Sequence, residues 1–138
     1  MLAFQIHFYL RSLKTFLGAE VPLQLSVSDF STKNLDEAIE NQLFIPLQNE
    51  FTNLDCVLDN ARAGGRNYYQ DLCFKIYAKT LIGDFLELAD GGSVDWTQKL
   101  LSNAKERLII SGISSQRVCM EFNRKTIWML VVAYVSIC

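Results

Sequence analysis

The stretch NARAGGRNYYQDLCFKIYAK, residues 60–79, decides how this chain is read. It places Arg62 and Arg66 around a Gly-Gly pair, then Tyr68 and Tyr69, then Lys75 and Lys79 one helical turn apart. With a period of 3.6 residues, Tyr69, Leu72, Cys73, Ile76 and Tyr77 share one face. That pattern predicts a long helix over about residues 66–89. Tyr68, Lys75 and Lys79 then point to one side, beside the apolar face. The stretch is either a surface that meets nucleic acid, or a loop followed by the solvated side of a helix.

Working outward, residues 2–17 carry apolar groups at Phe4, Phe8, Leu13, Phe16 and Leu17, and Gly18 supplies a stop. These features predict a helix. A secretion signal is not expected, because no basic segment precedes the apolar stretch and Arg11 and Lys14 follow it. In VPLQLSV, residues 21–27, the period of two predicts a short strand. Asn34 is a helix cap, and residues 35–63 read as helical with a break at Pro46, which lacks the amide donor. The glycine pairs at 64–65 and 91–92 follow predicted helices and read as helix stops. Ser93 caps a further helix carrying Trp96, Leu100, Leu101, Ala104 and Leu108, ended by Gly112. A last helix starts at Ser114 or Ser115 and runs into the apolar segment TIWMLVVAYVSIC, residues 126–138. That segment is shorter than the roughly 20 residues a membrane helix needs, so it reads as a buried element and no membrane contact is expected. Its apolarity also suggests a surface covered by a partner. The expected fold class is all-α. It is a compact bundle of five to six helices forming one helical domain over residues 1–138, with room for one short strand near the N-terminus.

Composition bounds the function. The 138 residues suffice for one domain, and 50% hydrophobic with 20% charged residues is a globular balance. The net charge of -2 gives no global attraction to nucleic acid, although a local basic face is compatible with it. Cys56, Cys73, Cys119 and Cys138 form no CxxC pair and the chain has one histidine, so neither a zinc site nor a disulfide framework is expected. The cysteines read as free thiols in a reducing cytoplasm. No nucleophile, Walker, GxGxxG or HExxH motif occurs, and His7 sits on an apolar helix, so neither catalysis nor a cofactor is expected. Residues 34–60 hold Asp36, Glu37, Glu40, Glu50, Asp55 and Asp59 without a single Lys or Arg. They form a docking face for a basic partner or an ordinary solvated face.

The bases lie elsewhere. Arg62, Arg66, Lys75, Lys79, Arg117, Arg124 and Lys125 are candidate phosphate contacts, and Tyr68 and Tyr69 are candidate stacking platforms worth roughly 1–3 kcal/mol per base.

One resemblance gives these residues a context. FYLRSLKTFLGAEVPLQLSVSDF, residues 8–30, resembles the stretch preceding the C-terminal helical region of the large subunit of type I-D CRISPR effector complexes. The remaining residues read as that helical region, which such systems also make as a separate small subunit. The resemblance implies a non-catalytic small subunit, stacked in several copies beside other effector-complex subunits. It would touch guide RNA and target DNA through backbone phosphates while base pairing supplies specificity. The acidic pI of about 5.3 departs from a plainly basic protein. The competing expectation is a cytosolic helical adaptor that binds protein alone through its acidic segment and apolar end. An enzyme built on His7 ranks last.

Overall fold

The computed structural model describes residues 1–122. In chain order they form α1 (Leu2–Leu17), β1 (Leu23–Asp29), α2 (Asp36–Ile39), α3 (Ile45–Glu50), β2 (Leu54–Leu58) and β3 (Leu72–Lys79). Then follow β4 (Phe85–Val94), α4 (Trp96–Leu101), β5 (Leu108–Ile113) and α5 (Ser115–Arg117). The strands make one five-stranded sheet in the order β2-β1-β3-β4-β5. β1 and β2 run parallel, and the other neighbours are antiparallel. The all-α helical bundle is therefore corrected to an α/β domain.

The error lies in residues 66–89, where a hairpin of β3 and β4 stands in place of the long helix. Cys73, Phe74, Ile76 and Ala78 are buried, while Lys75 and Tyr77 are half-buried and Lys79 is exposed. Phe74, Ile76 and Ala78 share one face at period two, and Cys73 is buried on the other. A short apolar run satisfies both periods, and here sheet pairing on both edges of β3 wins. The glycines of β4 are not helix stops. A Cβ on Gly91 would lie 2.6 Å from the Ser111 Cβ and 2.7 Å from the Phe74 ring. Both glycines stand where side chains of neighbouring segments cross the strand closely. Residues 35–63 are likewise helical only as far as Glu50, and β2 follows. The helix predicted after Ser93 is the short α4, followed by β5.

Elsewhere local signals hold. α1 ends where expected, with Gly18 at φ 104. The period-two stretch is β1, and its residues Leu23, Leu25 and Val27 are buried. Pro46 is met by a wide turn over Glu40–Phe44, in which the Ile45 N–H reaches the Glu40 carbonyl five residues back. Widening the turn spares a continuous helix the hydrogen bond that proline cannot make.

The main core lies on one side of the sheet. Ile6, Leu10 and Leu13 of α1 pack with Leu25, Val27, Phe74 and Ile76, and Phe44 and Leu47 close the flank. Lys14 ties the end of α1 to this unit. Its Nζ donates to the carbonyls of Ala19 (2.9 Å), Val21 (2.9 Å) and Thr52 (2.7 Å). Burial lowers its pKa, and the nearby Glu20 charge partly restores it. Lys14→Met keeps the stem but strips these acceptors of a donor. Urea unfolding is expected to show a loss of about 2 kcal/mol. An unchanged midpoint would mean that water replaces the ammonium at no cost. Among the described residues no helix is long and apolar enough to cross a membrane.

Candidate functional site

The opposite face of the sheet carries a smaller apolar cluster, Tyr69, Cys73 and Val94 with Phe30, Leu108 and Ile110 packed against it, beside a polar patch. The register places Ser26 beside Lys75 and Ser28 beside Cys73, and on the next strand Lys75 beside Asp90 and Cys73 beside Gly92. Over this face lies the loop between β2 and β3. Gly65 makes the turn possible at φ 89, and its carbonyl accepts from the N–H groups of Tyr68 (2.9 Å) and Tyr69 (2.8 Å). Arg66 braces the loop from behind, donating to the carbonyls of Arg62 (2.8 Å) and Asn60 (2.6 Å) with its guanidinium 4.8 Å from the Phe30 ring centroid. Tyr69 is thereby laid against Gly92, where a Cβ would come within 2.6 Å of its ring.

The result is a pocket of about 530 Å³, lined among others by Arg62, Tyr69, Lys75, Asp90 and Ser111. The Tyr69 hydroxyl donates to Asp90 Oδ2 at 3.0 Å. Burial first, and then the Asp90 carboxylate, push the tyrosine pKa up, so it remains a donor. Arg62 is almost fully buried, with its side chain 8% exposed. Its Nε donates to the Gly64 carbonyl at 2.7 Å and its Nη1 to the Cys73 sulfur at 3.4 Å. Nη2 stands 3.8 Å from Asp90, too far for a direct hydrogen bond. Lys75 turns away from its strand partner Asp90 and pairs with Glu87 at 2.8 Å. Asp90 therefore keeps an accessible carboxylate, 39% exposed, that takes one hydrogen bond, from Tyr69, among the described residues.

The predicted site residues divide accordingly. Arg62, Tyr68, Tyr69 and Lys75 meet in this pocket. Arg62, Lys75 and Tyr69 are engaged inside the chain, so they do not form the open phosphate-binding row that a helix would display. Tyr68 is half exposed, with its ring edge-on to Tyr69 and Trp96. Arg66 faces the rear of the loop. Lys79 lies at the far end of β3, and Arg117 donates to the Glu87 carbonyl at 2.9 Å. Arg124 and Lys125, with the apolar segment 126–138, lie outside the described residues. Asp90 and Glu87 were missed. Their sequence signal was weak, Glu87 near the end of a run read as helix and Asp90 just past it, and only strand pairing puts them opposite Tyr77 and Lys75.

The thiol of Cys73 is pushed up by burial, against the pull of Arg62, and so stays protonated. His7 is remote, on α1, with its Nε2 2.9 Å from both Glu50 oxygens. Among the described residues no three His, Cys, Asp or Glu side chains converge to hold a metal ion. The arrangement suits holding a small ligand with a cationic group against Asp90, with Arg62 nearby.

No family model matches this chain, and no curated protein matches it. Among solved structures it is similar to apo S. aureus histidyl-tRNA synthetase, with a TM-score of 0.65 at 18% identity. The likeness covers 90% of this chain and 36% of that one, so this chain spans about a third of the synthetase's length. At this identity the comparison establishes a shared fold.

Proposed function

We propose that this chain is a non-catalytic binding domain that holds a free amino acid, or a close amine-bearing derivative, on the polar patch of its sheet. The observation that carries this is Asp90. It is an accessible carboxylate in a defined pocket, oriented by Tyr69, with Arg62 held 3.8 Å away and Lys75 committed to Glu87. A ligand ammonium or imidazolium supplies the missing charge-assisted partner. Arg62 at the pocket wall, whose Nη2 makes no hydrogen bond among the described residues, favours a ligand that also carries a carboxylate. The fold shared with a protein named for histidine makes histidine the first ligand to test. Binding without chemistry suits a site whose thiol is kept protonated and whose one histidine is paired elsewhere. The free thiols Cys56 and Cys73 suit a reducing cytoplasm, where we place the chain.

The CRISPR small-subunit role is not carried forward. Its resemblance leaned on a helical reading of residues that form β2 to β5, and its central bases are engaged within the chain. The helical adaptor loses the same footing.

Calorimetric titration of the twenty amino acids into the full chain tests the proposal. One amino acid should bind saturably, and Asp90→Asn should weaken it about 10- to 100-fold, the worth of a hydrogen bond to a charged group. Equal affinity in Asp90→Asn, or no amino acid bound at all, would sink it.

A further inference from the structure

We propose a second binding site, for an amphipathic anion such as a medium-chain alkyl carboxylate, at the end of the sheet where β1 and β4 finish and β3 and β5 begin. A cavity of about 480 Å³ opens there, within the range of small-molecule sites. It shares no lining residue with the Asp90 pocket. Five aliphatic side chains line it, Leu2, Leu35, Leu72, Leu108 and Ile109, alongside the polar Ser31, Gln70, Ser93 and Gln98. All five are half-buried, so apolar surface is left for an occupant to cover.

The rim is basic. Arg107 Nη1 donates to the carbonyls of Ala104 (2.9 Å) and Glu106 (2.8 Å), which fixes the guanidinium at the mouth. Among the described residues neither Arg107 nor Lys33 is in an ion pair. The carboxylate close to Lys33 in sequence, Asp29, feels the Lys33 charge, but its oxygens are already hydrogen-bonded. Its two oxygens accept the N–H groups of Ser31 (2.8 Å) and Leu35 (2.8 Å). Among the described residues Asp71 is the one acid of the lining, against Lys33 and Arg107. A sugar would leave the five aliphatic side chains uncovered, and a plain hydrocarbon would leave the two cations unused. A molecule with an apolar body and one anionic head uses both, with the body on the leucines and the head between Lys33 and Arg107.

Decanoate is the probe, titrated into the full chain by calorimetry, with decylamine as the matched cation. Decanoate should bind at one site, and decylamine at least about tenfold more weakly. Lys33→Glu and Arg107→Glu should each weaken decanoate about tenfold, and Asp71→Asn should tighten it, because these side chains are exposed and the fold does not depend on them. Asp90→Asn should leave decanoate binding unchanged, so this site and the amino-acid site stand or fall separately. Absence of saturable decanoate binding overturns the proposal. So does binding that ignores both charge reversals but is lost in Phe8→Ser, which would put the probe on the exposed phenylalanines of α1.

Discussion

Phe74→Ala is expected to cost about 3–5 kcal/mol of unfolding free energy. Phe74 is fully buried on β3, the middle strand of the sheet, between β1 and β4. Its ring fills the space that the missing side chain of Gly91 leaves free, and it stands 6.2 Å from the Tyr9 ring. Tyr9 in turn donates from α1 to the Ser111 hydroxyl on β5 at 3.1 Å. Removing the ring leaves a cavity bounded by strands on both sides and by α1 above. The strands cannot close in, because backbone pairing fixes them. Urea unfolding with a constant m-value measures the loss. Phe74→Leu, which keeps most of the volume, should lose less than half as much. Equal losses for the two variants would mean that the site collapses freely and that the core is not organised around this ring.

Gly92→Ala is expected to damage fold and site together. The new methyl would lie 2.6 Å from the Tyr69 ring, 2.7 Å from the Cys73 Cβ and 2.8 Å from the Leu72 carbonyl. Two of these neighbours belong to the adjacent strand, so the β3–β4 pairing must shift as well as the tyrosine. Overpacking of this kind costs about 1–3 kcal/mol. Moving Tyr69 also breaks its hydrogen bond to Asp90, so amino-acid affinity should fall about tenfold or more. Gly64→Ala is the control, since a Cβ there meets nothing within 4 Å. It should change stability by no more than about 0.5 kcal/mol. Calorimetry and urea melts on both variants decide the matter. A Gly92→Ala protein that is destabilised yet binds as tightly as the parent would detach Tyr69 from the site.

Both variants touch the place where reading the sequence and folding the chain part company. The apolar run around Cys73, Phe74 and Ile76 satisfies a helix face and a strand face at once. Local pattern does not choose between them. The choice is made by β1 and β4, which bond to the two edges of β3 from positions up to dozens of residues away. Gly91 and Gly92 show the same ambiguity. A glycine pair after an apolar run reads as a helix stop, but here it answers contacts from Phe74, Ser111 and Tyr69. The candidate site was half legible for the same reason. Arg62, Tyr68, Tyr69 and Lys75 lie close in sequence and were seen together. Asp90 and Glu87 join them through the register of β3 on β4, which a helical reading destroys.

By itself the sequence determined the features whose causes are local. α1 stops at Gly18 because a glycine there takes a positive φ without strain. β1 follows from alternation over seven residues, and the helical run at Pro46 widens because proline has no amide to donate. Tertiary structure alone decided that residues 72–94 are a hairpin, that their glycines are contact points, and that an aspartate faces a tyrosine over an open pocket. The physical reason is that a strand is completed by hydrogen bonds to other segments. Its identity, and the neighbours its side chains meet, are settled only when those segments arrive.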